Sequence, residues 1–417
     1  MTFDRYAAAH VAVAAVVAVI AVLSAALPGV AHAQTNGQTN GQTVAHDEGA
    51  SLPEERSIGH IEPVHEFYGA MPSGVAKAPN GRLFVNYPRW GDDVPFTVGE
   101  IVDGRVVPYP NAQINRPDPM HPAATLLSVQ NVVADYRNRL WILDTAAPKF
   151  APPVQGGAKL IAVDLATNKV VKTIVFKPKV LLPQSYIDDV RFDFRYGKEG
   201  VAYLSDSSPA GPGGIIVVDL ASGDAWRTLE AHPATQGDPA FVPVVEGIEM
   251  TEDGPNGTPQ PVHFAADGLA LSADGNILYF SPLSSRHLYS VATRFLRDRD
   301  ADDGEVEASV RDLGEKGASD GLASDANGAV YAGDYERNSI RKMLPDGTWV
   351  TIAHDPRILW PDALSIGTDG YLYFTANQLN RQAQFNHGRD LRKKPYTLFR
   401  IKINAQPLEL KPQALSE

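Results

Sequence analysis

The sequence predicts an all-β protein, a six-bladed β-propeller with four strands per blade. Three observations predict it. A hairpin pattern recurs six times, its copies beginning at Ser73, Gln130, Asp188, Asp267, Asp320 and Asp362. Further apolar strands follow each copy, and no long helical period interrupts them. Gly (35) and Pro (32) are plentiful, which suits many turns and short strands. A repeat whose unit cannot bury its own faces must stack its copies, and a ring of four-stranded sheets does this.

The chain begins with an apolar run, residues 7–27, behind Arg5 and before Pro28 and Ala31-His32-Ala33. This is the pattern of a secretory signal peptide ending at residue 33. The rival reading is an uncleaved membrane anchor, the one way a membrane would become a partner. Either reading predicts export, to the periplasm or the medium. Residues 34–57 are polar, Gly/Asn/Gln-rich and without hydrophobic period, and are expected to be a flexible linker. The propeller is expected over 58–410, with a short tail at 411–417.

Each copy has one grammar. An apolar strand starts after the first residue. A turn signal follows, as in Asn80-Gly81, Asp274-Gly275, Asn327-Gly328 and Asp369-Gly370, residues that tolerate the positive φ of a tight hairpin. A second strand then carries an apolar-aromatic pair in each copy: Leu83-Phe84, Leu140-Trp141, Ala202-Tyr203, Leu278-Tyr279, Val330-Tyr331 and Leu372-Tyr373. Later strands are expected at 160–164, 170–176, 214–219, 287–291, 349–352 and 396–403. Residues 58–68 precede the first copy and are expected to pair with the last blade and close the ring.

That geometry gathers the first residues of the inner strands around one channel mouth. Four of six are aspartates: Asp188, Asp267, Asp320 and Asp362. Carboxylates so close raise one another's pKa unless a cation shares the site. The ring therefore suggests Ca²⁺ or another divalent cation on oxygen ligands, or a cationic organic ligand. A purely structural role for each Asp, as a turn-capping group, is the alternative. Gln130 starts the second copy, and Asn131 and Asp189 stand one residue inside their copies. Asp144, Asp206 and Asp334 lie equivalently at second-strand ends, which favours a structural role. Arg286, Tyr335, Arg381 and Asn377 differ between blades and are better ligand candidates.

Composition excludes other classes. The formal net charge is −12, which argues against nucleic acid as partner. There is no cysteine, hence no disulfide, thiolate metal site or Cys nucleophile. The 11 histidines show no zinc spacing, and no Walker, GxGxxG or GxSxG motif occurs. The run 294–307 resembles a calcium loop only loosely and is expected to be an exposed charged loop.

Several segments resemble the Yellow/major royal jelly protein family: RLWILDTA (139–146), VAYLSDSSPAGPGGIIVVDL (201–220), ALSADGNILYFSPLSSRHLYSV (270–291), YERNSI (335–340) and WPDALSIGTDGYLYFTANQLNR (360–381). The resemblance implies a six-bladed propeller. It also implies a range of functions: amine binding in the channel, dopachrome-type tautomerisation, or nutritional and signalling roles. The family's channel-mouth segments fall here on Asp320, Asn338, Trp360-Pro361-Asp362, Thr375 and Asn377. The pattern is more distantly similar to the gluconolactonase and senescence-marker propellers. There, an Asp-Gly such as Asp267-Gly268 or Asp320-Gly321 contributes a divalent-metal ligand, and Glu66 is the nearest match for their early-blade Glu. Function is therefore expected to be small-ligand binding at the channel mouth, with a metal-dependent lactonase-like hydrolase or tautomerase as alternative and a protein-interaction propeller third.

Overall fold

In the computed structural model, residues 56–254 and 256–412 are described. The expected signal peptide, nearly all of the expected linker and residues 413–417 lie outside them. Among the described residues, no helix is long and apolar enough to cross a membrane.

Six four-stranded antiparallel sheets form the blades. Blade 1 runs Val75–Lys77, Leu83–Asn86, Val98–Val102, Arg105–Pro108. Blade 2 runs Val129–Ala134, Arg139–Asp144, Lys159–Asp164, Lys169–Val175. Blade 3 comprises Ile187–Asp193, Val201–Asp206, Gly214–Asp219 and Ala225–Thr228. Blade 4 comprises Ala266–Leu271, Ile277–Pro282, His287–Ala292 and Arg311–Glu315. Blade 5 is Ser319–Ser324, Val330–Asp334, Ser339–Met343, Trp349–His354. Blade 6 takes Pro361–Ile366, Tyr371–Ala376 and Tyr396–Lys402 from the end of the chain and Ile61–Phe67 from its beginning. The register Ile61↔Ile401 to Phe67↔Tyr396 thus closes the ring as predicted. Each inner strand packs on the next, and the last on the first.

The expected strands are present, with ends moved by up to three residues: the closing strand begins at Ile61, and Ile58 bridges to His354 of blade 5 instead. The charged run 294–307 is not a plain loop. It contains two short helices, Thr293–Arg297 and Asp303–Ala308. Asp302 caps the second by accepting from the Glu305 N–H.

The aromatic of the second strand has a reason beyond burial. In three blades a polar atom on its ring donates to an Asp at the hairpin turn. Trp141 Nε1 reaches Asp135 at 2.8 Å, Tyr331 Oη reaches Asp325 at 2.8 Å, and Tyr373 Oη reaches Asp369 at 2.6 Å. The same Asp135 and Asp325 also accept backbone N–H groups of their turns. A single carboxylate thus fixes turn and core side chain together.

The Asp residues at the other end of the second strand are structural, as their equivalence suggests. Asp144 takes three backbone N–H groups (Leu127, Ser128, Ala146) and the buried Lys159 ammonium. Asp206 holds Tyr186 N, Ser185 Oγ and Arg227. Asp334 pairs with Arg337. Each ties the loop before an inner strand, or the strand end itself, to a neighbouring cation.

Candidate functional site: a buried carboxylate ring

The inner strands of blades 3 to 6 share an irregularity. Pairing with the second strand breaks between Ile187 and Val190, Ala266 and Leu269, Ser319 and Leu322, and Pro361 and Leu364. The residues skipped are Asp188-Asp189, Asp267-Gly268, Asp320-Gly321 and Asp362-Ala363. A bulge frees a side chain from the pleat and re-aims it. Here it supplies a carboxylate from each of four consecutive blades.

The glycines of two bulges answer to the next blade. A Cβ on Gly268 would stand 2.4 Å from the Asp320 carbonyl oxygen, and one on Gly321 would stand 2.6 Å from that of Asp362. Only glycine lets adjacent bulges approach so closely. Gly321→Ala is expected to destabilise by about 1–3 kcal/mol by overpacking and to displace Asp362 from the ring. Chemical denaturation checks the first, and a crystal structure of the variant the second.

Asp188, Asp267 and Asp320 each present an oxygen within 4.8 Å of the others. None of the four ring carboxylates is more than 8% exposed. Each has one oxygen held by a neighbouring donor. Gln130 Nε2 reaches Asp188 at 2.6 Å, Ser207 Oγ reaches Asp267 at 2.6 Å, Trp360 Nε1 reaches Asp320 at 2.8 Å, and Asn377 Nδ2 reaches Asp362 at 2.6 Å. The polarity of these bonds is forced. An indole N–H only donates, and Trp90 Nε1 donates to Tyr186 Oη at 2.6 Å. The Tyr186 proton therefore goes to Gln130 Oε1 at 2.8 Å, which turns the Gln130 amide N–H toward Asp188. Asn377 is oriented likewise, since its Oδ1 accepts the Leu379 N–H. Asp267 Oδ1, by contrast, is buried and takes no donor from outside the carboxyl ring.

Burial, then mutual repulsion, holds Asp188, Asp267 and Asp362 well above the usual carboxylate range. Asp320 is pushed up to about 6 by burial, against the opposing bonds from Trp360 and Asp267. Asp189 is also raised by burial, with Arg191 opposing. Arg191 crosses from Asp189 to the Leu322 carbonyl, blade 3 to blade 5. Lys316, fully buried, faces Asp267 and Asp334 and is lowered to about 7 by burial. With Asp334 counted, six carboxylates thus face Arg191 and Lys316.

The pH consequence follows from Asp320. Between its ordinary value of 3.8 and about 6 the folded chain binds more protons than the unfolded chain. Stability from this group is therefore lost as pH rises through that window. In cation-free buffer, Asp320→Asn is expected to match the parent near pH 4 and exceed it by up to about 3 kcal/mol at pH 7. Denaturation curves at several pH values test this, and a gap that does not widen with pH refutes it.

A cavity of about 150 Å³ lies inside the ring of blades. Gln130, Asp188, Asp189, Arg191, Asp320 and Asp362 line it, and Asp267 stands outside its lining. Its walls include Val75, Val132, Phe192 and Leu364.

The channel mouth beside the Asp residues is sealed, contrary to an open-mouth expectation. Phe150 lies 4.7 Å from Tyr186, 5.5 Å from Trp90 and 5.7 Å from Phe264, ring centre to ring centre. Trp360 stacks on Tyr335 at 4.1 Å. The long connection 236–265 packs Phe241, Val245, Met250 and Val262 into the same cluster as Tyr335, Trp360 and Leu379. Its rim is fastened by Glu246–Arg381 at 2.5 Å, Asp253–His387 at 2.8 Å and Glu336 accepting the Val244 N–H.

The other expected site residues fall elsewhere. Thr375 donates to the Ser73 carbonyl at 2.5 Å and ties blade 6 to blade 1. It lines no part of the cavity, and Asn377 acts through Asp362. Asn338 sits at the turn between the second and third strands of blade 5, with φ 46°, away from the ring. Arg286 and Arg381 are committed to Glu336 and Glu246. Tyr335 is buried, its hydroxyl donating to the Leu283 carbonyl. Glu66 lies on the outermost strand of blade 6 and accepts from Tyr68, so it is no early-blade ligand. The sequence reading missed the roof (Trp90, Phe150, Phe264), Tyr186 and Arg191.

Residues 127–407 match the major royal jelly protein family. The chain belongs to that family. Relatives include Protein yellow of Drosophila erecta and of Drosophila melanogaster, each 28% identical over 248 residues. That match covers 55% of this chain and only 42% of either relative. Among solved structures the royal-jelly-type ring resembles a putative gluconolactonase, with a TM-score of 0.50 and 13% identity, covering 84% of this chain and 93% of that one. It also resembles a luciferin-regenerating enzyme, with a TM-score of 0.50 and 12% identity over 84% and 99%. Identities this low establish the shared propeller alone.

Proposed function

We propose that this royal-jelly-family propeller is an exported binding protein for a small organic cation, a primary amine carrying one ring. One observation carries the reading: Asp188, Asp189, Asp320 and Asp362 line a cavity of about 150 Å³ whose cationic lining residues, among the described residues, are Arg191 and Lys77, the latter donating to the Gly81 carbonyl. A cavity of about this size accommodates benzene. Apolar walls suit the ring, and convergent carboxylates suit an ammonium, whose three N–H groups each need an acceptor. Burial makes each such bond strong and leaves an unpaired carboxylate costly.

A second reading has its own support. The oxygens of Asp188, Asp267 and Asp320, no more than 4.8 Å apart, suit ligands shared by one divalent ion, and Asp267 Oδ1 is the atom such an ion would satisfy. Held there, the ion would polarise a carbonyl oxygen and support lactone hydrolysis. The donors from Gln130, Ser207 and Trp360 orient the ligands as outer partners do in metal sites.

The two readings share Asp188 and Asp320 and differ in their third aspartate, Asp362 for the amine and Asp267 for the metal. Calorimetry with tyramine as probe, and elemental analysis of the purified protein, are to be run on the parent, Asp362→Asn and Asp267→Asn. The amine reading expects Asp362→Asn to weaken tyramine binding about 30-fold or more. The metal reading expects near-stoichiometric divalent ion, lost in Asp267→Asn and kept in Asp362→Asn. Absence of tyramine, benzylamine and phenethylamine binding to the parent rejects the amine.

A further inference from the structure

We propose that the channel is loaded from the hairpin-turn face, opposite the carboxylate ring, and that the C-terminal strap at residues 404–411 is its gate. The ring's own face is closed by a roof that is both apolar and latched. Trp90, Phe150, Tyr186 and Phe264 form one aromatic cluster over Gln130. The connection above it is held at three points on blades 5 and 6. Opening that side would break this cluster and undo the Trp90–Tyr186–Gln130 chain that orients Asp188.

The far end is built differently. After blade 6 the chain leaves its last strand and crosses the turns of other blades. Pro407 forms an isolated bridge with Asp325 of blade 5, and Ala326 N donates to Gln406 O at 2.9 Å. Leu410 O accepts from Phe194 N of blade 3 at 3.0 Å, and Leu410 approaches the Gly275 turn of blade 4. Pro407, Leu408, Glu409 and Leu410 thereby line the same cavity that Asp188, Asp320 and Asp362 line at its other end.

What holds the strap is slight. Three backbone hydrogen bonds anchor it, one at its start to the Gly370 turn of blade 6 and one each to blades 5 and 3, Gln406 adds a long 3.3 Å bond to the Thr368 carbonyl, and Leu408 and Leu410 pack at the edge of the core of blades 3 and 4. Among the described residues the strap's ion pair is internal, Glu409 with Lys411, and its one outward charged contact is the Lys411 ammonium 5.2 Å from the centre of the Tyr136 ring. Segments with few bonds and few buried side chains open locally at a fraction of the global free energy. The strap is such a segment, and the roof is not. Its importance for ligand rests on the binding reading above, but access to the cavity can be measured without any ligand.

The chain has no cysteine, so one introduced thiol reports alone. Ala363 lines the cavity beside Asp362. In the full chain carrying Ala363→Cys, the reaction with 2-aminoethyl methanethiosulfonate is to be timed. The thiolate forms a mixed disulfide and methanesulfinate leaves. Adding Leu408→Ala and Leu410→Ala is expected to speed labelling at least tenfold. Adding Glu246→Gln, which releases a roof latch, is expected to leave it within twofold. Faster labelling with the roof variant alone, or equal rates in all three proteins, overturns the proposal. Native-state hydrogen exchange of the unaltered protein gives a second reading should the leucine variant not fold. The Ala326 and Phe194 amides, both bonded to the strap, are expected to exchange together and at least tenfold faster than Leu322 or Ala332 within blade 5. Protection equal to those strands overturns it as well.

Discussion

Asp144→Ala is expected to cost the fold about 3–5 kcal/mol, the penalty for stranding a buried charge. Lys159 is wholly buried, and its ammonium meets Asp144 at 2.7 Å, with the Pro122 and Gly157 carbonyls as its other acceptors. Alanine removes the one anion in that set. It also orphans the backbone N–H groups of Leu127, Ser128 and Ala146, which sit where the chain turns into the inner strand of blade 2. Lys159→Met is expected to cost less, because Asp144 then keeps three N–H donors, and a carboxylate so held tolerates burial. Urea denaturation orders the variants. A loss under about 1 kcal/mol for Asp144→Ala would show that the pair contributes nothing net, as some buried pairs do.

The pair also shows what the sequence conceals and what it discloses. Asp144 is visible as a repeated second-strand end, and its structural role follows from its equivalence to Asp206 and Asp334. Its partner is not visible, because Lys159 follows a loop of irregular length and meets Asp144 only through the register of the third strand. The ring aspartates were legible for the opposite reason. They occupy one position of a repeat, and in a propeller one repeat position means one place around the axis. Repeat position does not give radial distance, and so Asn338 and Thr375, correctly placed in their blades, fall outside the cavity. Nor does it give the roof. Trp90, Phe150 and Phe264 come from connections of different blades with no shared pattern, and they converge only because the ring closes. The bulges were half legible: Asp-Gly marked the strand start, while the reason for glycine lay in the neighbouring blade.

Trp360→Ala is the second large effect, and it joins fold to site. Trp360 is 1% exposed, stacked on Tyr335 at 4.1 Å and 9°, and its indole N–H donates to Asp320. Its backbone sits at φ 55°, a conformation a bulky residue rarely adopts. Such strain persists where surrounding contacts over-determine it. Here the contacts are the stack below the roof and the bond to the ring. Alanine keeps the strained φ and loses both contacts, for an expected cost of about 3–5 kcal/mol. Trp360→Phe keeps an aromatic face for Tyr335 but has no donor. It is expected to cost about 1–2 kcal/mol and to move the Asp320 pKa further up, since the bond that opposes burial is gone. Urea denaturation measures both costs, and the pH at which tyramine binding is half-maximal reports the shift. A phenylalanine variant as damaged as the alanine one would place the whole effect in the hydrogen bond. An unmoved pH profile would mean that Trp360 supports the roof and leaves the carboxylate ring to set its own charge.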